Sequence, residues 1–305
     1  MRIAVLGPGG VGGLLAALLA RSGEPVALVA RERTAAKIAA EGLQLHSALF
    51  GDFTVNPAVA ARLEEEVDAL IIATKATGLR AALGRIAAAP ALILPLLNGL
   101  DHLDLLRERF GAERVLAGSI RVESDRPQPG LIVQSSPFLR IEMASFAPAQ
   151  QGPMRELAAL LSRAGAPTVV RESEAQVMWS KLVRLNALAC VTSAYDKRLG
   201  EIRSTPELFD DLKAALAEAA AVARAEGAQI EASEALAELE RAHPTLGSSM
   251  QRDIAAGREP ELDAIPGAVL RAAARHRIAA PTIERLLAQI TERVRIERGA
   301  RSPAP

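Results

Sequence analysis

The hydrophobic pattern of the first half alternates between short apolar runs and amphipathic stretches. It predicts a strand over 2–6, a helix over 10–21 that stops at Gly23, and a second strand over 25–30. The same reading predicts further strands at 67–74, 91–97, 114–120 and 167–171, and helices at 78–89, 102–110 and 153–164. The runs 131–134 and 139–143 are expected to form a hairpin that covers one edge. Strands alternating with helices predict a mostly parallel, doubly wound sheet.

The pattern changes after residue 172, where strand-like runs give way to helical periodicity. We predict an α/β N-terminal Rossmann-type doubly wound sheet followed by an all-α C-terminal domain, with ranges 1–170 and 171–305. No Gly/Ser-rich linker separates the two halves. The helices of the second half are predicted at 174–194, 206–226, 231–241, 249–257, 263–276 and 281–296.

The composition is that of a globular protein with no general affinity for nucleic acid. The 305 residues are enough for about two domains at roughly 150 residues each. Hydrophobic residues make up 50% of the chain, so it can bury a sizeable core. Lys plus Arg and Asp plus Glu both total 36, which leaves no basic excess for nucleic acid, and aromatic residues are only 3%.

The cysteine count and the apolar runs indicate where the protein acts. Cys190 is the only cysteine, so no internal disulfide can form, and no Cys/His cluster has the spacing of a metal site. A reducing cytoplasm is therefore expected. No run reaches 18 uninterrupted apolar residues, which argues against a membrane partner. The N-terminal apolar run is interrupted by glycines and is a poor signal peptide.

Those glycines form a pattern, G-x-G-x-x-G, between the first strand and the first helix. Gly7 would permit the tight turn, Gly9 would let the backbone approach a pyrophosphate, and Gly12 would let the helix pack closely. The helix N-terminus at Gly10 and Val11 would offer N–H groups to phosphates. The pattern therefore predicts dinucleotide binding, and the alternative is a glycine turn needed only for packing.

Three residues follow predicted strands at the edge where such sheets bind ligands. Arg31 stands where NAD-binding sites usually have Asp or Glu, and a guanidinium suits the 2′-phosphate of NADP. Glu32 weakens that inference, whereas Lys75 offers a second cation. Asn98 could place an amide near the nicotinamide. The alternatives are solvated surface cations for Arg31 and Lys75 and a turn residue for Asn98.

Three features of the second half are candidates for chemistry. Lys181 lies early in a long helix, Ser249 follows Ser248 at a helix start, and Glu261 precedes the next helix. Each has a structural alternative. Lys181 could be a lysine whose amine reaches the surface from a buried helix, Ser248 could cap its helix, and Glu261 could favour a helix N-terminus.

Taken together, these residues resemble the ketopantoate reductase (2-dehydropantoate 2-reductase) family over nearly the whole chain. The resemblance rests on the glycine motif, Lys75, Asn98-Gly99, the segment Trp179-x-Lys181-Leu182, and Ser248-Ser249-Met250 with Glu261 twelve residues after Ser249. The glycine motif is shared by many families, whereas the last two elements are much more specific.

The resemblance implies an NADPH-dependent reductase that converts 2-dehydropantoate, or another 2-oxo acid, to the 2-hydroxy acid. Range 1–170 would bind NADP, and range 171–305 would bind the small-molecule substrate and carry the catalytic residues. The resemblance implies that Lys181 is the general acid and that Glu261 orients it and contacts substrate or cofactor. Ser249 would bind the substrate carboxylate, and Asn98 would contact substrate or nicotinamide. Arg31 and Lys75 would bind the 2′-phosphate.

One departure from the family pattern concerns the substrate. The family has asparagines four and eight residues after the lysine, where this chain has Leu185 and Ala189. Asn186 is turned by about 100° from the expected face unless the helix contains a bulge. Arg184 could lie nearer and bind a carboxylate. Both are retained as candidate substrate residues, and ketopantoate itself is left open.

Two rival functions remain from the sequence. One is an NADP-dependent reductase of a different, more apolar 2-oxo acid. The other is a redox-sensing regulator that binds NADP without turnover, although the combination of Lys181, Ser249 and Glu261 argues against it. A homodimer is compatible with a helical second half, but no sequence feature proves one.

Overall fold

The computed structural model of the protein describes residues 1–301, with side chains as far as Arg298. The chain divides into two compact units, Met1–Val177 and a second that begins at Met178. The long helix Glu174–Tyr195 carries the chain from one unit into the other. The predicted ranges 1–170 and 171–305 place the junction a few residues earlier, before this helix.

The first unit contains twelve strands and the helices that connect them. The strands are β1 (Ile3–Leu6), β2 (Val26–Val29), β3 (Leu43–Ser47), β4 (Phe53–Val55), β5 (Ala58–Ala60), β6 (Ala69–Ile72), β7 (Leu92–Pro95), β8 (Ala117–Arg121), β9 (Ser124–Gln128), β10 (Leu131–Gln134), β11 (Arg140–Ala144) and β12 (Thr168–Val170). The helices are α1 (Gly10–Arg21), α2 (Glu32–Glu41), α3 (Leu79–Leu83), α4 (His102–Phe110) and α5 (Gln151–Arg163), and α6 (Glu174–Tyr195) begins there.

The central sheet has five parallel strands in the order β5-β2-β1-β6-β7. Strands β1, β6 and β7 are buried throughout, as expected of strands with helices on both faces. One apolar core joins the side chains of α1 and α5 to alternate residues of these strands, among them Val5 and Ile71. The predicted Rossmann-type sheet is confirmed.

Two smaller sheets extend this unit, and they correct the predicted hairpin. β10 pairs with β9 and β3, in the sheet order β4-β3-β10-β9. β11 pairs instead with β8 and β12. The two runs are therefore not a hairpin. Their apolar residues marked them correctly as strands, but such a run carries no information about which distant edge it joins.

The helix predicted over 78–89 is also too long, because α3 ends at Leu83. The chain turns at Gly84, and Ile86 forms a parallel bridge with Leu63. The N–H of Leu63 donates to the carbonyl of Arg85 at 2.8 Å. The hydrogen bonds that would have continued the helix are thus replaced by long-range pairing.

The second unit is helical, and no strand occurs in its described part, 178–301. After α6 come α7 (Leu199–Ser204), α8 (Pro206–Ala225), α9 (Ala232–Arg241), α10 (Ser249–Ala255), α11 (Ala268–His276) and α12 (Pro281–Arg301). A π-helical turn, Asp263–Gly267, precedes α11 and contains Pro266, which has no N–H to donate. The predicted all-α second part is confirmed, and α7 is an addition. None of the described helices is long and apolar enough to cross a membrane.

Candidate functional site

The glycine turn between β1 and α1 has the geometry that its sequence predicts. Gly7 has φ +104°, a backbone conformation that favours glycine, and its N–H donates to the Val29 carbonyl at 3.1 Å. A methyl group built at Gly12 would lie 2.0 Å from the Gly7 carbonyl oxygen. Only glycine at position 12 therefore lets α1 pack this closely against the turn, as predicted for the third glycine.

Gly9 and Gly10 differ in what surrounds them. A methyl group at Gly9 would meet only the Ala73 carbonyl oxygen, at 3.8 Å, so its other sides are open. A methyl group at Gly10 would lie 2.2 Å from the Ser124 carbonyl oxygen, so Gly10 is needed for packing. Gly9 is thus the point at which another molecule can approach the backbone, beside the first N–H groups of α1.

A pyrophosphate fits this turn. Gly9 is the N-cap of α1, and no described side chain caps that helix end, which leaves its N–H groups available to an anion. Thr74 packs its methyl group beside Gly7, and its buried hydroxyl has no hydrogen-bond partner among residues 1–301. A buried hydroxyl without a partner is costly, and a phosphate or ribose oxygen at the turn would supply one.

Three predicted site residues follow strands of the central sheet at its carboxyl edge. Arg31 follows β2 and is exposed, Lys75 follows β6 and is exposed, and Asn98 follows β7 and is half-buried. Gly99, with φ +85°, turns the chain directly after Asn98. The parallel order of these strands places all three residues at the edge that also carries the glycine turn.

Glu32, the acidic neighbour of Arg31, is held by a residue that sequence reasoning missed. Arg85 Nη1 lies 2.9 Å from Glu32 Oε1, and Nη2 lies 3.2 Å from Oε2. These hydrogen bonds lower the pKa of the Glu32 carboxyl to about 2. The Glu32 carboxylate, whose position weakened the prediction of NADP, is therefore paired with the Arg85 guanidinium. The sequence carries no signal for this pair, because its members are 53 positions apart.

In the second unit, α6 presents Lys181, Arg184 and Leu185, all half-buried, along one side. Ala189 is fully buried. Arg184 Nε lies 3.4 Å from Glu238 Oε2 of α9, so the carboxylate that it faces in this structure belongs to the protein. Positions 185 and 189 of α6, which hold asparagines in the family pattern, are thus apolar in this chain.

Asn186 does not take the place of those asparagines. The helix is α-helical from Glu174 to Tyr195 without a bulge, so Asn186 stays off the Lys181 side. It is fully buried, and the Cys190 thiol donates to its Oδ1 at 3.6 Å. This placement argues against its predicted substrate contact. Burial raises the pKa of the Cys190 thiol to about 12, which suits a packing residue rather than a nucleophile.

Ser248 and Ser249 begin α10 with different surroundings. Ser248 is the N-cap, and its Oγ accepts from the Gln251 N–H at 3.0 Å, as the capping alternative predicts. Thr192 Oγ1 lies 2.9 Å from the same oxygen, which ties α6 to the start of α10. Ser249, the first residue of the helix, is half-buried. Of the two serines, only Ser249 is left to contact a substrate.

Glu261 and Asp263 also differ clearly in their exposure. Asp263 is exposed and pairs with Arg271, 2.7 Å apart, at the start of the π-helical turn. Glu261 is only 6% exposed, which is unusual for a carboxylate. Burying a carboxylate costs free energy, and a residue that only favours a helix N-terminus can do so while it is exposed. The burial of Glu261 is therefore better explained by a specific interaction.

Comparison with known proteins identifies the family. Residues 3–147 match the family model described as ketopantoate reductase PanE/ApbA, and residues 175–294 match the model of its C-terminal part. A 2-dehydropantoate 2-reductase of Mycobacterium tuberculosis is 30% identical over 291 residues, which cover 92% of this chain and 93% of that protein.

Solved structures show the same fold. The crystal structure of a 2-dehydropantoate 2-reductase from Geobacter metallireducens superimposes with a TM-score of 0.89 at 28% identity, covering 96% of this chain and 99% of that one. D-mandelate dehydrogenase, solved with NADH and anilino(oxo)acetate, gives a TM-score of 0.87 at 22% identity, covering 98% and 100%. At 22% identity, the second likeness concerns the fold alone.

Proposed function

Because the chain belongs to the ketopantoate reductase PanE/ApbA family, we propose that it reduces a 2-oxo acid to the 2-hydroxy acid with NADPH. The family comprises pyridine nucleotide-dependent oxidoreductases that act on CH–OH groups. 2-Dehydropantoate is the first candidate substrate, and its product, pantoate, serves pantothenate and coenzyme A biosynthesis. The observation that carries the proposal is the open approach to the backbone at Gly9, in a turn that also packs against Thr74, whose buried hydroxyl has no partner among residues 1–301.

The first unit would hold the cofactor. Gly7, Gly9, Gly10, Val11 and Gly12 form the turn and the helix N-terminus suited to the pyrophosphate. Arg31 and Lys75, at the ends of neighbouring strands on either side of β1, would bind the 2′-phosphate. When bound, NADPH supplies a hydride.

The second unit would supply the proton and hold the substrate. Negative charge develops on the carbonyl oxygen as the carbonyl is reduced, and the Lys181 ammonium can donate a hydrogen bond and then a proton to it. Glu261, nearly buried, would orient Lys181 or the substrate. Ser249 would donate to the substrate carboxylate. Asn98, which belongs to the first unit, would contact substrate or nicotinamide.

Arg31→Ala should raise the Kd of NADPH by about 10- to 100-fold, the value of a hydrogen-bonded contact to a charged group. The Kd of NADH should stay within about twofold, because NADH lacks the 2′-phosphate. Arg33→Ala is the matched control, since Arg33 is also exposed and lies two positions along the chain. Fluorescence titration of both cofactors measures the effect. An equal loss for the two cofactors would rule out the assigned contact.

Arg85→Gln should release the Glu32 carboxylate beside the 2′-phosphate site. We expect NADPH to bind about fivefold more weakly through charge repulsion, with NADH unaffected or improved. The double variant Arg85→Gln with Glu32→Gln should restore NADPH binding, because it removes the freed charge. If the double variant binds NADPH as weakly as the single one, the effect is structural and this explanation fails.

Steady-state kinetics on a panel of 2-oxo acids test the proposed activity. The panel holds 2-dehydropantoate, 3-methyl-2-oxobutanoate, pyruvate and phenylglyoxylate, the 2-oxo acid that corresponds to mandelate. We expect NADPH-dependent turnover, with the highest kcat/KM for 2-dehydropantoate. Turnover of none of the four would overturn the proposed reaction.

A reductase for a more apolar 2-oxo acid is the second candidate. The observation that favours it is the apolar pair Leu185 and Ala189 at the positions of the family's asparagines. Without those amides, a hydroxylated substrate loses hydrogen-bond partners, whereas an aliphatic or aromatic chain gains apolar contact. A higher kcat/KM for 3-methyl-2-oxobutanoate or phenylglyoxylate than for 2-dehydropantoate would select this candidate.

A further inference from the structure

The first turn of α1 is built largely from glycine. Three of its first four residues are Gly10, Gly12 and Gly13. Close packing explains them, since Gly10 and Gly12 have no room for a methyl group and Ile132 packs directly against Gly13. Glycine is the least favourable helix residue after proline, because it loses the most backbone freedom when it is ordered. The turn that faces the predicted pyrophosphate therefore needs support from outside the helix.

Ser124 supplies such support. Its Oγ donates to the Gly10 carbonyl at 2.8 Å, and its own carbonyl oxygen packs where a methyl group at Gly10 would stand. A carbonyl oxygen has two lone pairs, so the Gly10 carbonyl can accept this bond together with its bond inside the helix. Gly10 and Ser124 are 114 positions apart, so no local pattern could reveal the contact.

The position of Ser124 is itself set by backbone pairing. Ser124 begins β9 and lies opposite Gln134 of β10. One residue earlier, the Glu123 N–H donates to Ser136 Oγ at 3.0 Å, and the Glu123 carbonyl accepts from the Ser135 N–H at 3.0 Å. Ser136 is fully buried. The half-buried Ser124 hydroxyl is thus carried by a segment that is hydrogen-bonded to the neighbouring strand.

The bond to Gly10 also fixes an N–H group at the helix N-terminus. The Gly10 carbonyl and the Val11 N–H belong to one planar peptide group and point in opposite directions. Holding the carbonyl toward Ser124 therefore sets the direction of the Val11 N–H, which has no partner within the helix because it lies in the first turn. N–H groups that are already ordered bind an anion more tightly, because less freedom is lost on binding.

We propose that Ser124 is a positioning residue for the cofactor pyrophosphate, because its hydroxyl holds the Gly10–Val11 peptide in the orientation that presents the Val11 N–H. The inference rests on the proposed function, since it requires a dinucleotide at the glycine turn. Ser124 acts through the turn and need not touch the cofactor. NADH and NADPH carry the same pyrophosphate, so its effect is the same for both cofactors, unlike the effects expected at Arg31 and Arg85.

Binding measurements on the full chain compare three ligands. In Ser124→Ala, the Kd of NADPH and the Kd of NADH should both rise about fivefold, the effect of losing one neutral hydrogen bond. The Kd of adenosine 2′-monophosphate, which has the 2′-phosphate but no pyrophosphate, should match wild type. Ser22→Ala is the matched control, because Ser22 Oγ donates to the Leu19 carbonyl at 2.8 Å at the other end of α1. Ser124→Thr, which keeps the hydroxyl, should bind both cofactors within about twofold of wild type.

Amide hydrogen exchange without cofactor gives a second readout. The Gly13 N–H, which donates to the Gly9 carbonyl at 2.7 Å and closes the first turn, should exchange about fivefold faster in Ser124→Ala than in wild type.

Three results would overturn the inference: unchanged cofactor Kd values in Ser124→Ala, an equal loss in Ser22→Ala, or an equal loss for adenosine 2′-monophosphate. Failure of the wild type to bind either dinucleotide would refute this role together with the proposed function. If the wild type binds both cofactors, Ser124→Ala weakens both, and no acid is reduced, the proposed reaction fails while the role of Ser124 stands.

Discussion

Replacing Lys181 with alanine should lower kcat by about 10²- to 10⁴-fold, the contribution of a positioned general acid. The Kd of NADPH should stay within about twofold, because Lys181 belongs to the helical unit and not to the cofactor turn. The reason is electrostatic. Without the ammonium, the charge that develops on the carbonyl oxygen has no donor at this position and no proton source. Stopped-flow single-turnover measurements separate this chemical step from product release.

Lys213→Ala is the matched control for that experiment. Lys213 lies on α8 of the same unit, is about half exposed and pairs with Asp210. We expect its kcat to match wild type. A kcat for Lys181→Ala near that of wild type would end the assignment of Lys181 as general acid. It would support instead the alternative of a lysine that only reaches the surface from a buried helix.

The second large effect is expected at Gly9. Gly9→Ala should weaken NADPH binding by about 30- to 100-fold, because the methyl group would occupy the approach to the backbone that a pyrophosphate needs. The fold should tolerate the change, since that methyl group would meet only the Ala73 carbonyl oxygen, at 3.8 Å. Fluorescence titration gives the Kd, and thermal unfolding without cofactor gives the Tm.

Two other glycines make that result interpretable. Gly12→Ala would place a methyl group 2.0 Å from the Gly7 carbonyl oxygen, so it should lower both the Tm and the affinity. Gly152→Ala, in α5 with open space around it, should change neither by much. If Gly9→Ala binds NADPH as wild type does, the turn is a packing device and the dinucleotide assignment is wrong.

The elements that the sequence predicted well are those specified locally. α1 and α4 have the predicted bounds, 10–21 and 102–110, because apolar periodicity and Gly23 or Gly111 mark them along the chain. The strands β4 and β5 escaped prediction, since three residues with mixed exposure give no clear alternation. The predicted hairpin of β10 with β11 was wrong, because β10 pairs with β3 and β9, β11 pairs with β8 and β12, and a local pattern does not show which strands will pair.

The candidate site residues likewise fall into those with a local sequence signal and those without one. The glycine turn and the strand-end residues Arg31, Lys75 and Asn98 could be predicted as candidates, because each is tied to a local pattern. Arg85 could not, since its bond to Glu32 depends on how two distant segments meet. Asn186 was expected near the substrate, but its placement depended on a bulge that α6 does not have.

Transfer of deuterium tests the central claim most directly. NADPH carrying deuterium at the transferred position of its nicotinamide ring is incubated with the protein and the panel of 2-oxo acids, and the product is analysed by mass spectrometry. Reduction by this chain predicts a 2-hydroxy acid with deuterium at C2, and loss of that product in Lys181→Ala. NADPH that binds tightly while no deuterium reaches any acid would contradict the account and would favour a regulator that senses the cofactor without turnover.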